Sequence, residues 1–428
     1  MENGQKKLIL LYPYKFVEFH WKLFELDEYN KYLDEVEVWD LSNVIFKKFS
    51  STLSGIESKS KKVIRFRSFG QFFLYFRSYL ERNKQAQLAF INEVPRLKFR
   101  PIIFTIILLL FLKRAKYSIL EFYNPGIPDY SPDHRIMSNN KISILCKYLT
   151  ELIINKNSNA SRRFKLISLI SHIVASIVPN LSTHNLVAGK KYELNLQTKL
   201  SPSVKLIKGH SFDYSNYLIS ENSSEGVVKN NEDNDLSIVY LDSPSPKFSS
   251  DAKLTQKKVF LTVENWYPAL NLFFDYLEST LNARVKISSH YKSDFRDDIK
   301  TFQGREVKSN ETLALIKNAN LVITRLSTAV SFAVLLRKPV LLIYSDELLK
   351  DGDAMQSIRS LSNLLGTQMI NINDLSYQSN TIWQVNETKY TSYTNDFLTS
   401  NLSAPANSTL ILSEIFKINF ENGDKKNG

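Results

Sequence analysis

The chain is 428 residues long, 43% hydrophobic and 23% charged, with a formal net charge of +12. That composition excludes a disordered or fibrous protein and leaves room for two or three domains with full cores. A single cysteine, Cys146, excludes a disulfide framework and reads as a small buried side chain in a reducing compartment.

The charge is uneven. Residues 1–215 hold 33 basic and 18 acidic side chains, a net of +15, while residues 216–428 hold 22 and 25, a net of −3. A basic front half suits an anionic membrane surface, a phosphate-linked acceptor or nucleic acid. Lysines spread over a solvated face are the plain alternative. No recognised nucleic-acid motif occurs, so nucleic acid is not expected as a partner.

In chain order, the first element is a strand, Lys7–Leu11, with no signal-peptide pattern before it. A helix is expected from about Phe16 to Leu33. Strands follow at Val36–Trp39 and Val63–Phe66, then an aromatic-rich helix over Gln71–Glu81 and a short strand at Leu88–Asn92. Pro101–Leu112 (PIIFTIILLLFL) is too short to span a bilayer, which takes about 20 apolar residues. Its basic flanks, Arg96, Lys98 and Arg100 before and Lys113, Arg114 and Lys116 after, allow a membrane-surface helix; a buried core helix is the alternative. Arg162–Val178 is a second basic, amphipathic stretch, with Leu166, Leu169, Ile170 and Ile173 at helical spacing. Between them Tyr117–Tyr123 reads as a strand ending in the turn Asn124-Pro125-Gly126. Val204–Lys208 is the last strand of this half and runs into Gly209-His210.

Ser220–Asp235 is polar and reads as a linker. It divides an amino-terminal domain, residues 1–219, from a carboxy-terminal domain, residues 236–428. In the latter, Leu236–Leu241 is a strand closed by Asp242-Ser243-Pro244, and Ser245–Leu254 is a loop. A helix over Lys257–Thr280 buries Phe273, Phe274 and Leu277. Val285–Ser288 and Leu321–Thr324 are strands, Ala329–Leu336 a helix, and Pro339–Tyr344 a further strand. Thr409–Lys417 is the last expected helix, with eight polar, frayed residues after it. Alternating strands and helices argue for α/β domains with parallel sheets, whose ligands bind at the carboxyl ends of the strands.

Those ends carry the candidate chemistry. His290 ends a strand and can donate to a phosphate oxygen or protonate a leaving phosphate. Lys292 adds a mobile positive charge, and Ser293 is a further candidate for binding the donor's phosphate or nucleotide. Ser327-Thr328 opens an apolar helix, where hydroxyls and backbone N–H groups suit an anion. A plain helix cap is the alternative. Arg325, just before the pair, faces the same site or solvent. Gly304 permits close backbone approach after a strand-like Thr301–Gln303, and Arg305 can fork onto phosphate. Glu311, opening the next helix, is a ribose or sugar contact or a dipole-matched acid. In the front half, His210 and Asp213 are candidates for acceptor binding or for the general base, and Glu18 and His20 are their rivals. There is no GxGxxG, no P-loop, no HExxH and no strand-end Asp-x-Asp, so neither a zinc site nor a metal-bridged diphosphate is indicated. The sequon Asn159-Ala160-Ser161 matters only in a secreted chain.

The order His290-Tyr291-Lys292-Ser293-Asp294, Gly304-Arg305-Glu306, ETLALIKNANLVIT and LSTAVSFAVLLRKPVLLI resembles the carboxy-terminal domain of bacterial GT-B glycosyltransferases of surface polysaccharide, capsule and lipopolysaccharide biosynthesis. The resemblance is clearest over residues 236–350. It extends into the front half through LILLYPYKFVEFHWKLFEL, VEVWDLS, EFYNPGIP and KGHSFDYSNYL. Relatives often carry His-Pro-Arg where this chain has His290-Tyr291-Lys292, and Ser-Ser-Thr where it has Leu326-Ser327-Thr328.

The resemblance implies two Rossmann-like domains facing across a cleft. The nucleotide-sugar donor would bind mainly the second domain and a glycan or lipid-linked glycan acceptor the first. A His with a Ser-Thr pair is similar to the phosphate-binding residues of CMP-sialic-acid and Kdo transferases, which sets a CMP-sugar slightly ahead of a UDP-sugar. No cofactor is implied beyond the donor. Transfer would be metal-independent: His290, Lys292, Ser327 and Thr328 stabilise the leaving phosphate, and a front-half carboxylate or His deprotonates the acceptor. The implied setting is cytoplasmic, at the inner face of the membrane. A nucleotide-sugar epimerase and a non-catalytic scaffold in a polysaccharide-synthesis complex are the rival readings.

Overall fold

The computed structural model describes residues 4–45, 62–94, 117–123, 182–197, 202–222, 236–248, 259–291, 293, 300–374, 376 and 383–420. Pro101–Leu112, Arg162–Val178, Cys146, Asn124–Gly126, Lys292 and most of Ser220–Asp235 lie outside the described residues.

Two parallel sheets organise the chain. The first has seven strands: β1 Lys6–Tyr12, β2 Glu35–Asp40, β3 Val63–Arg65, β4 Gln87–Asn92, β5 Ser118–Tyr123, β6 His184–Ala188 and β7 Lys205–Gly209, in the order β3-β2-β1-β4-β5-β6-β7. The second has six: β8 Leu236–Leu241, β9 Ala283–Ser289, β10 Val307–Ser309, β11 Leu321–Thr324, β12 Val340–Tyr344 and β13 Met369–Asn371, in the order β10-β9-β8-β11-β12-β13. Every pairing is parallel.

Each sheet is covered on both faces, as the run of apolar residues in its strands requires. Leu8, Leu10 and Tyr12 of β1 point into one cluster, and Ile9 and Leu11 into the other, following the two-residue period of a strand. Trp39 explains the aromatic helix, Phe69–Arg82. Its indole sits among Phe66, Phe72, Tyr75, Phe76, Tyr79 and Phe90, with edge-on centroid separations between 5.2 and 6.1 Å.

Three departures from the sequence reading have local causes. The helix expected over residues 16–33 is two helices, Glu18–Leu23 and Leu26–Asn30, broken at Glu25 with φ 56. Glu25 turns inward and accepts a hydrogen bond from the N–H of Ser408, 2.8 Å away. Thr301–Gln303 is a turn and not a strand, because Gln303 and Gly304 both adopt positive φ, 52 and 81. Helix Phe212–Asn222 runs through the start of the expected linker.

The final helix, Asn407–Phe416, was expected in the second domain but packs into the first. Ile411, Leu412, Ile415 and Phe416 fill the cluster under Leu8, Leu10 and Val36. His210, at the end of β7, fastens the incoming chain: its N–H donates to Asn407 Oδ1 at 2.9 Å, and Asn407 Nδ2 donates back to the His210 carbonyl at 2.9 Å. Among the described residues no helix is long and apolar enough to cross a membrane.

Candidate functional site

The carboxyl ends of β1 and β9 meet. Asp40, buried at the end of β2, braces the first of them. Its Oδ2 accepts from Phe16 N–H at 3.1 Å and its Oδ1 from Ser42 N–H at 2.9 Å, which ties the loops after β1 and β2 together. Above that brace lie Tyr12, Phe16, Phe19 and His20. Nδ1 of His20 accepts from Val17 N–H at 3.1 Å, so the imidazole proton sits on Nε2. The His20 ring is buried 4.6 Å from Tyr12, 5.4 Å from Phe16 and 5.0 Å from Tyr291 of the second domain. Burial, with Tyr291 and Glu93 nearby, pushes the Tyr12 phenol well above its ordinary value. Glu18 stands half-buried in the first turn of the same short helix, beside Phe19.

Beside this aromatic group is a carboxyl pair that the sequence reading missed. β4 ends in Asn92 and is followed by Glu93; β5 carries Glu121 opposite. Asn92 Nδ2 donates to Glu121 Oε1 at 2.9 Å. Burial, reinforced by the Glu121 charge, raises the Glu93 carboxyl to about 8. A carboxyl with that value changes charge near neutral pH and suits proton transfer. The available signal was an acid at the carboxyl end of two otherwise apolar parallel strands.

His290 follows β9, half-buried, with its ring 4.4 Å from that of Tyr291. Ser293 N–H donates to the His290 carbonyl at 2.7 Å and closes the turn. Ser327 and Thr328 follow β11, two strands away in the sheet, which is about 10 Å at ordinary strand spacing. Ser327 Oγ accepts from Ala329 N–H at 3.3 Å. The Thr328 carbonyl accepts from Ser331 Oγ at 2.9 Å, and the Thr328 side chain is exposed. The helix they precede is short, Val330–Leu335. His290, Ser293, Ser327 and Thr328 therefore share one edge of the second sheet.

Other expected site residues are engaged elsewhere. Both ring nitrogens of His210 are used internally: Nδ1 meets Thr399 Oγ1 at 2.8 Å, and Nε2 the carbonyls of Ala404 and Pro405 at 3.1 Å each. Its ring is fully buried and stacked on Tyr214, and burial lowers its pKa. Asp213 faces Ser331 across the domain junction, and burial raises its carboxyl to about 7. Arg305 folds back onto the helix Val263–Leu281. It pairs with Glu278 at 2.7 Å and with Asp275, and donates to Asn271 Oδ1 at 3.2 Å. Gly304 has open space where a Cβ would stand, so its role is the positive φ and not close approach. Arg325 turns inward to the Ser245 carbonyl at 3.2 Å and the Trp266 face at 5.3 Å. Glu311 precedes helix Thr312–Lys317 and is exposed. The start of helix Val263–Leu281 is held by Glu347, which accepts from Thr262 N–H and Oγ1, each at 2.9 Å, and from Asn265 Nδ2 at 2.7 Å.

No family profile and no curated protein matches the chain. Among solved structures, a histidine-to-asparagine variant of the wall teichoic acid polymerase TagF is similar, with TM-score 0.51 and 11% identity over 97% of this chain and 90% of that one. The same variant after a 30 minute CDPG soak gives 0.50 and 11% over 97% and 89%. The UDP-GlcNAc 2-epimerase of Neisseria meningitidis bound to UDP-GlcNAc gives 0.45 and 12% over 96% and 100%. At such identities the likeness to the polymerase speaks for fold. With two parallel α/β domains joined at their strand carboxyl ends, this chain has the GT-B fold.

Proposed function

We propose that the protein is a glycosyltransferase that moves a sugar from a nucleotide-sugar donor to a surface glycan, free or lipid-linked. One observation carries the reading: Tyr291, next to His290 on the edge of the second sheet, meets His20 and lies near Tyr12, with Glu93 beside them, on the edge of the first. Transfer builds negative charge on the leaving phosphate and removes a proton from the acceptor hydroxyl. Those two demands call for donors on one side and a base on the other.

In this mechanism the donor phosphates lie along the second sheet, where His290, Lys292, Ser293, Ser327 and Thr328 supply N–H, ammonium and hydroxyl donors. The acceptor lies against the first domain. Glu93, with its raised carboxyl, takes the acceptor proton; beside it stands Glu121, which Asn92 holds. The basic front half favours acceptors that carry phosphate, and an anionic membrane surface as the place of work.

The test is thermal unfolding with CMP, UDP, GDP and their sugar conjugates, CMP being placed ahead of UDP. A ligand at 100 times its Kd stabilises the folded state by about 2.7 kcal/mol, enough to move Tm by several degrees. A panel with no shift overturns the reading. Where a nucleotide does shift Tm, Ser327→Ala with Thr328→Ala should remove the effect.

A second reading, nucleotide-sugar epimerisation, is favoured by Glu93, since a carboxyl that changes charge near neutral pH can take and return a proton with no acceptor present. Incubating the bound sugar conjugate alone separates the two: a new sugar isomer without acceptor supports epimerisation, and turnover only with acceptor supports transfer.

A further inference from the structure

We propose that Arg325 is the central anion-binding residue on the carboxyl edge of the second sheet, forking onto phosphoryl oxygens of the leaving group between His290 and Ser327. The assignment rests on the reading of that edge as the donor side of the site.

The placement follows from register. Leu241, the last residue of β8, pairs with Ser288 of β9 on one side and with Thr324 of β11 on the other. The three strands end level, with His290 just beyond one outer strand and Arg325 just beyond the other. Arg325 Nη2 donates to the Ser245 carbonyl, in the loop after β8, at 3.2 Å. Its guanidinium carbon lies 5.3 Å from the ring centre of Trp266, near the start of the helix Val263–Leu281 that follows that loop. Neighbouring strands are about 5 Å apart, so this reach brings the guanidinium over the middle strand of the three. It therefore stands between the His290 turn and the Ser327-Thr328 pair.

The charge of Arg325 is poorly compensated. Among the described arginines only Arg305 and Arg325 are half-buried; the others are exposed. Arg305 is paired, with Glu278 at 2.7 Å and with Asp275. Arg325 has no carboxylate at ion-pair distance among the described residues. Arginine is ordinarily paired where it is buried, because an unpaired charge away from water is costly. Asp242, buried after β8, answers this only in part: burial raises its carboxyl to about 7, so near neutral pH it is incompletely ionised.

The free capacity is of the right kind. A guanidinium carries about five N–H donors in a rigid fork that meets phosphate or carboxylate oxygens in pairs. Nη2 has the Ser245 carbonyl, while Nε and Nη1 have no acceptor among the described residues. The Trp266 face and the Ser245 carbonyl hold the fork in place before a ligand arrives, which lowers the cost of ordering it. Ser327 Oγ accepts from Ala329 N–H at 3.3 Å and keeps its own hydrogen to donate. A fixed fork with a hydroxyl beside it suits phosphoryl oxygens, whose charge grows as the sugar departs.

The test is calorimetric titration of the whole protein with inorganic pyrophosphate, inorganic phosphate and acetate at equal ionic strength. The expected result is saturable binding of pyrophosphate, weaker binding of phosphate and the weakest of acetate. Arg325→Lys, which keeps the charge and loses the fork, should weaken pyrophosphate about tenfold or more. No pyrophosphate binding by the wild type overturns the assignment. So does an unchanged affinity in a folded Arg325→Lys, since the anion is then held elsewhere on a chain of net charge +12. Acetate bound more tightly than phosphate overturns it in favour of a carboxylate. Should Arg325→Lys fail to fold, Trp266 reports instead. Saturating pyrophosphate should change the wild-type tryptophan emission and not that of Trp266→Phe; wild-type emission identical with and without pyrophosphate overturns the assignment. No arm needs a nucleotide, so the two readings fail separately. Pyrophosphate binding that depends on Arg325, in a protein whose Tm no nucleotide shifts, defeats the transferase reading and leaves the anion site. A nucleotide shift undiminished in Arg325→Lys does the reverse.

Discussion

The rings of Phe19 and Tyr291 lie 4.4 Å apart and 4° from parallel, one on each domain, with His20 edge-on to Tyr291 at 5.0 Å. Tyr291, next to His290, is thus a contact between the two sheet edges.

Tyr291→Ala should loosen domain closure without unfolding the protein. An aromatic pair contributes about 0.5–1.5 kcal/mol beyond its buried area, a small part of domain stability. The expected outcome is a larger radius of gyration by solution scattering and a reduced thermal response to nucleotide. An unchanged radius in the free protein would show that this stack does not hold the domains together.

Glu93→Gln should abolish turnover while leaving nucleotide binding in place. With a carboxyl raised to about 8 serving as the base, wild-type turnover should climb with pH and level off above that value. A pH–rate profile measured with the nucleotide identified by thermal shift checks both points. Wild-type turnover that is flat between pH 6 and 9 would remove Glu93 from the role.

His210→Ala should act on stability. It breaks the link to Thr399 and to the Ala404 and Pro405 carbonyls and opens a cavity, for a cost of about 2–4 kcal/mol. Urea unfolding reads the loss directly. If instead turnover fell a thousandfold with the unfolding midpoint unmoved, His210 would belong to the chemistry.

Asp213 sets a pH dependence of stability. Its folded pKa, about 7, lies above the ordinary Asp value of 3.8, so the folded state binds more protons than the unfolded one between those values. Stability is fully present below the lower value and falls as pH rises through the higher one. Tm should therefore drop between pH 5 and pH 8, and Asp213→Asn should flatten that slope. Glu93 and Asp242 contribute in the same direction, so the flattening is partial.

The α/β class and the strand-end location of polar chemistry were legible because long apolar strands alternate with amphipathic helices. Val36–Trp39, Leu236–Leu241 and Leu321–Thr324 all fall inside observed strands. What periodicity cannot convey is which polar group a buried strand end turns toward. His210 was a candidate for acceptor binding or the general base, and Arg305 for phosphate, on residue type and position alone. The contacts that occupy them, Thr399 and Pro405 for one and Asp275 and Glu278 for the other, lie 27 to 195 residues away in the chain. Glu93 and Asp242 were overlooked for the converse reason. A lone acid after an apolar strand resembles a turn residue until the neighbouring strands bring Glu121, His290 and Arg325 beside it.

The return of Asn407–Phe416 to the first domain bears on how such proteins can be recombined. A cut between residues 222 and 236 would leave the amino-terminal piece without Ile411, Leu412, Ile415 and Phe416, and with the His210 peptide no longer closed by Asn407. The two halves are not interchangeable cassettes. A chimera that borrows another second domain must keep this helix as the first domain's own, grafted back at the far end of the borrowed segment.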